Sequence, residues 1–331
     1  MKIRLNSFRL ITLLAIIAFV IVVASHVNSY FLYVANLTMI NAIAAIGLVI
    51  LSGVAGLLSL GTAALVAIGA YSSGILTTHY GWSFVPALFV GSLAAAAVGT
   101  LLAAPALRLG GMHLAIVTLA FGVVVVQLIG MGGNLTGGMQ GLTLVPATLF
   151  GWALNTEWRR LCVILPLFAA VVIASLNFLR LKPGRALAAI RDREATASAL
   201  GINPAAYKTL AFAFSSFLAG MAGALYGCLT SYISTDDFTI WNSIFYFVMI
   251  VVGGMTSIAG GVIGAIVVTI FPEAMRGLKE VSFAVFGVML MLIIMFFPNG
   301  LVSMYAPISR LLRRVILREG ATSTSTQEHQ P

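Results

Sequence analysis

Charge is what this sequence has least of. Of its 331 residues only 8% are Asp, Glu, Lys or Arg, while 60% are apolar. A soluble domain carries about a quarter charged residues, so a water-soluble molecule of this composition would have too little charge to cover its surface. A soluble globular protein is therefore excluded, and lipid becomes the solvent for most of the chain. Cysteine is also scarce. Cys162 and Cys228 both lie in apolar stretches, no C-x-x-C is present, and both read as small apolar fillers. No G-x-x-x-x-G-K-[ST] occurs, so the chain cannot cradle ATP in a P-loop of its own. His26, His79, His113 and His329 are scattered, and no His/Cys/Asp/Glu cluster has metal-ligand spacing. No Ser/His/Asp set stands out either. The expectation is a chain with no catalytic residues, no metal and no cofactor.

The acidic residues are few and their places matter. Glu157, Asp192, Glu194, Asp236, Asp237, Glu273, Glu280, Glu319 and Glu328 all fall in loops or at predicted helix ends. Ion- and proton-coupled carriers keep ionisable groups at mid-membrane, where they are costly and retained for coupling. Proton coupling is therefore disfavoured, whereas sodium coupling through backbone carbonyls stays open.

Long apolar runs are what the chain does have. A spanning helix needs roughly 20 apolar residues to cross about 30 Å of hydrocarbon. Charged residues are absent from 10–107 and from 109–156, and the runs are continuous. The short alternating strands of a membrane β-barrel are not seen. Apolar segments read at 10–28, 31–52, 55–77, 84–104, 112–131, 161–179, 209–229, 243–271 and 281–297. The first follows Lys2, Arg4 and Arg9 and resembles a signal peptide, but the hydrophobicity that continues after it favours an uncleaved first helix. Trp82, Trp152, Trp158 and Trp241 sit near predicted ends, as interfacial anchors do.

The positive-inside rule sets the orientation. Lys2, Arg4 and Arg9 put the N-terminus in the cytoplasm, and alternation puts Arg108 and the loop 180–208 there too. Nine spans would leave Arg310, Arg313, Arg314 and Arg318 outside. The segment 243–271 carries G-G-M-T-S-I-A-G-G, and Gly-rich interruptions mark broken helices in transporters. If the chain turns there as two short helices, ten spans result and both termini are cytoplasmic. Only Arg159, Arg160, Arg276 and Lys279 of the 18 basic residues then lie outside. The fold expected is an all-α polytopic membrane protein of about ten transmembrane helices (eight to ten). It comprises one membrane domain over 1–319 and a polar, disordered cytoplasmic tail over 320–331. The basic residues follow from topology, so nucleic acid is not expected as a partner.

Small residues recur along the helices. Ala219, Gly223 and Gly227 lie four apart, Ser216, Gly220 and Ala224 form the neighbouring row, and Gly260 and Gly264 repeat the pattern. In lipid such rows let helix backbones approach closely. They read as tight packing or as a sliding surface for alternating access.

The loop 180–208 is the one long charged stretch. Residues 185–200 read as a helix, with Leu187, Ile190, Ala197 and Leu200 near helical spacing, Gly201 as a C-cap and Pro204 beyond it. Such a helix either docks in a partner's cleft or lies on anionic lipid. At this loop the sequence resembles the permease subunits of bacterial branched-chain amino acid ABC importers. Seven blocks in order carry the resemblance: LSGVAGLLSLGTAALVAIGAY at 51–71, LRLGGMHLAIVTLAFG at 107–122, NLTGGMQGL at 134–142, GRALAAIRDREATASALGI at 184–202, KTLAFAFSSFLAGMAGALYG at 208–227, GGMTSIAGGVIGA at 253–265 and FFPNGL at 296–301. The resemblance implies a bacterial inner-membrane subunit that pairs with a homologous second permease, two cytoplasmic ATPases and a periplasmic binding protein. ATP would be used by the partner alone. It also implies that the loop is the coupling helix, with Arg185, Arg191, Asp192, Glu194, Ala195 and Gly201 at the ATPase contact. Here Thr196 interrupts the family's alanine pair. Two further departures, Thr62 for a common histidine and Met139-Gln140 for Pro-Asn, leave room for urea or short amides as cargo. A self-sufficient channel or secondary carrier is the less favoured alternative.

Polar residues at helix depth are the candidates for a path. Asn41, Thr118 and Gln127 either line it or bond a neighbouring helix. Thr136, Gly137, Gly138 and Gln140 lie at the outer mouth of the fifth span. There the glycines either offer backbone N–H groups to a carboxylate or form a plain turn.

Overall fold

The computed structural model describes residues 28–106, 111–149, 152–275, 282–297 and 300–304. The apolar segment 10–28 (apart from Asn28), Arg108, the C-terminal basic cluster and the tail 320–331 lie outside the described residues. Eleven helices follow one another among those described: α1 Ser29–Leu48, α2 Thr62–Thr78, α3 Phe84–Ala106, α4 Met112–Gly130, α5 Glu157–Arg180, α6 Lys182–Asp192, α7 Glu194–Ala199, α8 Pro204–Thr230, α9 Ile240–Gly253, α10 Ile258–Ala274 and α11 Ser282–Phe296. Two short antiparallel ribbons interrupt them. β1 (Leu142–Thr143) pairs with β4 (Tyr232–Ile233), and β2 (Thr148–Leu149) pairs with β3 (Trp152–Ala153). The all-α membrane architecture read from the apolar runs is thus the one observed.

Five of these helices are long and apolar enough to cross a membrane, or six if α9 and α10 count as one bent span. The segments at 55–77 and 281–297 appear as shorter apolar helices. The turn expected inside 243–271 is present: α9 and α10 meet at 119° across a short break. Glycine makes this corner possible. Side chains on Gly260 and Gly264 would run into the backbone of α9, and Gly254 takes φ +124°.

Two expectations of continuous helix are corrected. The run at 55–77 does not begin as helix: α1 ends in a π-wound turn, Val49–Val54, and α2 starts only at Thr62. Gly56, at φ +72°, takes a left-handed conformation that a helix cannot hold. The charged helix over 185–200 is broken at Arg193, which is extended (φ −156°, ψ 100°) and separates α6 from α7. Leu200, expected on the apolar face, consequently turns outward and is 78% exposed.

Helix α8 is the central post. Its 27 residues reach about 40 Å, enough to cross the bilayer, and it packs on α1, α2 and α3. The two small-residue rows bring α2 and α3 close, with Gly220 meeting both. Gly223 sits against Val66 and Ala70 of α2, while Gly220 meets Ser92 and Ala95 of α3. Gly69 of α2 and Gly99 of α3 return the fit, facing Gly220 and Ser216. Backbones therefore touch where larger side chains would hold them apart, which replaces the missing hydrophobic drive in lipid. Ile43, Ile46, Leu218 and Leu225 fill the core between these helices.

Candidate functional site

The loop 180–208 caps one end of α8. Leu181 leaves α5 extended, and Pro183 starts α6 where its missing N–H is not needed. Gly184 lies so close to Leu179 that no side chain would fit. The apolar face of α6 then goes inward: Leu187 is fully buried among Leu51, Leu57, Ala103, Leu114 and Phe212. Ile190 and, on α7, Ala197 are also buried. Outward, residues 191–196 are exposed without interruption. Of the expected coupling set, Arg185, Asp192, Glu194, Ala195 and Gly201 all belong to this exposed surface. Arg191 is exposed too, but its guanidinium donates to the Gly53 carbonyl at the end of α1.

The loop is fixed at its far end. Gly201 takes φ +83°. Ile202 N–H donates to Ala197 O at 3.1 Å and Gly201 N–H to Ser198 O at 3.0 Å, which is a Schellman cap. Asn203 then caps α8 by accepting from Ala206 N–H at 3.3 Å. Lys208 Nζ donates to Glu194 Oε1 at 2.7 Å and ties α7 to α8. Lys208 was legible only as another loop charge, because its partner lies fourteen residues away across the turn between α7 and α8.

The seven polar residues considered for a path do not gather at one site. Asn41 Nδ2 donates to Thr269 Oγ1 at 3.0 Å and joins α1 to α10. Thr118 is buried; its hydroxyl accepts from Leu60 N–H and donates to Ala115 O, both at 3.0 Å. Gln127 is exposed and borders a groove of about 270 Å³ with Val123, Val126, Ile240 and Trp241. Thr136, Gly137, Gly138 and Gln140 lie beyond α4, in a cap at the end of α8 opposite the loop. There Thr136 Oγ1 donates to Ile129 O at 2.7 Å and accepts from Gly138 N–H at 3.3 Å. Gly141 N–H donates to Gly138 O at 3.4 Å, so two of the glycine N–H groups are satisfied inside the turn. Tyr232 Oη donates to the Gln140 carbonyl, locking the turn onto the β1–β4 ribbon.

The cap is held by a cluster that charge counting alone did not single out. Arg160 donates to Glu157 Oε1 at 2.6 Å, to Leu154 O at 3.1 Å and to Ser231 Oγ at 3.1 Å. It therefore joins the start of α5, the β2–β3 hairpin and the end of α8. The buried Asn36 of α1 donates to Glu157 O at 3.1 Å. The spacing of Glu157 and Arg160, one helical turn apart, was the available signal. Trp241 and Trp82, exposed at helix ends, stand as anchors would.

Comparison with known proteins meets this geometry. The family model described as branched-chain amino acid transport system / permease component matches residues 30–297. The high-affinity branched-chain amino acid transport system permease protein LivM of Escherichia coli K12 is 35% identical over 298 residues, covering 83% of this chain and 70% of that protein. LivM of Salmonella typhimurium LT2 is 34% identical with the same coverage. The probable LivM of Methanocaldococcus jannaschii is 25% identical over 231 residues, 65% of this chain and 67% of that protein. No match to a solved structure was found. With the family model covering α1 to α11, and with a helical membrane bundle carrying one apolar-anchored charged loop, the chain belongs to the family of branched-chain amino acid transport system permease components.

Proposed function

We propose that this chain is one of two homologous permease subunits in an ATP-driven importer of the bacterial inner membrane. It works with two cytoplasmic ATPases and a periplasmic binding protein that delivers branched-chain amino acids. The names of the relatives support the cargo class. The chain's lack of a P-loop supports placing ATP hydrolysis on the partner. In this reading the chain supplies no catalytic residue, metal or cofactor. It has ten spans, with both termini and the loop 180–208 cytoplasmic, within a single membrane domain over 1–319.

One observation carries the reading: the loop has two faces. Leu187 and Ile190 root it in the bundle, while residues 191–196 are exposed, with Arg191 and Glu194 reaching back to the bundle. The exposed side is the ATPase contact, formed by Asp192, Glu194 and Ala195, with Arg185 and Gly201 at its ends and Arg191 behind it. ATP closure of the motor moves the loop and turns the bundle between inward- and outward-facing states. Gln127 borders the path near its outer end. Thr136, Gly137, Gly138 and Gln140 shape the cap that receives the binding protein, and Asn41 and Thr118 hold the helices around the path. Purification of the chain in mild detergent tests this. An ATPase and a second permease are expected to accompany it and to be lost with Glu194→Lys; substrate uptake into liposomes by this chain alone would contradict the reading. Thr62, Met139 and Gln140 keep urea and short amides as the second cargo reading, and calorimetry on the partner binding protein separates the two.

A further inference from the structure

The end of α1 is irregular, and irregularity of this kind has a use in transporters. Helix C-termini leave carbonyls without partners. Here the π-wound turn uses two of them: Ala55 N–H donates to Ile50 O and Leu57 N–H to Leu51 O, both at 3.0 Å. The Gly53 carbonyl is met from outside, by the guanidinium of Arg191. A cation at this end also faces the negative pole of the helix. The stem of Arg191 lies over Gly56, where a methyl group would stand 3.1 Å from its Cγ. Among the described residues no carboxylate lies within ion-pair reach of Arg191.

Gly53 is where two other features meet. A methyl on it would overlap the Met255 carbonyl, in the turn that joins α9 to α10. From Gly53 the unwound chain runs on to α4. Leu60 N–H donates to Thr118 Oγ1, and a methyl on Gly61 would stand 2.6 Å from Thr118 O. Leu58 and Leu60 then wall a groove of about 380 Å³ with Met112, Ala115 and Ile116 of α4. One side chain of the loop thus holds Gly53, which packs on the α9–α10 turn and from which the chain runs on to the α4 groove.

We infer that Arg191 is a positioning residue: it is the arm through which the loop moves the unwound segment 53–61, and with it the α9–α10 turn and the α4 groove. This rests on the reading of the loop as the ATPase contact. Asp192 to Ala195 meet the partner, and Arg191 carries the displacement inward.

Hydrogen exchange on the assembled transporter, with and without ATP, tests it. In the wild type ATP is expected to change exchange in the loop 185–201 and in both 53–61 and 254–257. With Arg191→Met the loop still responds, while the response of the two inner segments falls about tenfold, the factor that loss of a charge-assisted hydrogen bond allows. Arg191→Lys restores most of it, which a role in packing alone would not produce. Inner segments that respond to ATP in Arg191→Met as in the wild type would overturn the inference. A wild-type loop indifferent to ATP would overturn the reading of the loop, and the inference with it. Should Arg191→Met not assemble, Gly56→Ala keeps the arginine but presses on its stem. The same loss is expected there, and a full response in that variant counts equally against the arm.

Discussion

Single residues in this chain are decided mostly by how close two backbones come. Gly223 is the sharpest case, because a side chain there meets the Val66 carbonyl of the facing helix. Gly223→Val is expected to destabilise the detergent-purified protein by on the order of 1–3 kcal/mol through overpacking, seen as a lower midpoint in a thermal size-exclusion assay. Gly81, which has open space around its Cβ position, should tolerate alanine better, limited only by its φ of +64°. The rows of small residues on α8 were readable from sequence because helical spacing alone aligns them. The partner of each row was not, since spacing does not say which helix a face meets. The same holds for charge. Glu194 was readable as a loop charge, but its bond to Lys208 depends on the turn between α7 and α8. The carboxylate of this ion pair is 53% exposed but the Lys208 side chain only 11%, so Glu194→Lys, which sets two cations together, should lower the thermal midpoint modestly as well as remove the ATPase. The exchange Glu194→Lys with Lys208→Glu separates brace from contact. Binding in pull-down is expected to stay lost; recovery would mean that Glu194 acts only within the loop.

Elements were readable where apolarity is continuous, and also at 253–261, where a cluster of glycines marks the turn; the single Gly56 gave no such signal. The runs at 31–52, 84–104, 112–131 and 209–229 became α1, α3, α4 and α8 within a few residues. The run at 55–77 kept its hydrophobicity but not all of its helix: Gly56 takes φ +72° beneath the stem of Arg191, which lies far off in sequence. The loop was misread in the opposite way: a helical pattern over 185–200 concealed the break at Arg193, as residues on both sides keep helical spacing. Its end was readable. Gly201→Val forces a β-branched residue to φ +83° and costs about 1–2 kcal/mol. Amide exchange at Gly201 and Ile202 is expected to rise, and ATPase affinity to fall with it, while the thermal midpoint of the bundle barely changes. Unchanged exchange would mean that the Schellman cap does not hold the loop.

At the scale of the molecule, one long helix separates two different ends. The loop rooted by Leu187 closes one end of α8, and the cap clamped by Arg160 closes the other. Sequence charge is the ground for the side of the membrane proposed for the loop. The cap was only a set of glycines in the sequence, because it is assembled from residues at 36, 136–149, 152–160 and 231–238 that become neighbours through the fold. The candidate path residues were the least readable part. Polar side chains at helix depth look alike in sequence whether they bond a neighbour, as Asn41 does, or border a groove, as Gln127 does. The central claim is that the two ends face different partners, a motor at the loop and a binding protein at the cap. Photo-crosslinking in intact cells tests it most directly, with the reactive group placed once at Ala195 and once at Gln140. Ala195 is expected to capture the ATPase alone and Gln140 the binding protein alone. Capture of the binding protein at Ala195, or no ATPase at Ala195 in a complex that still transports, would contradict the account.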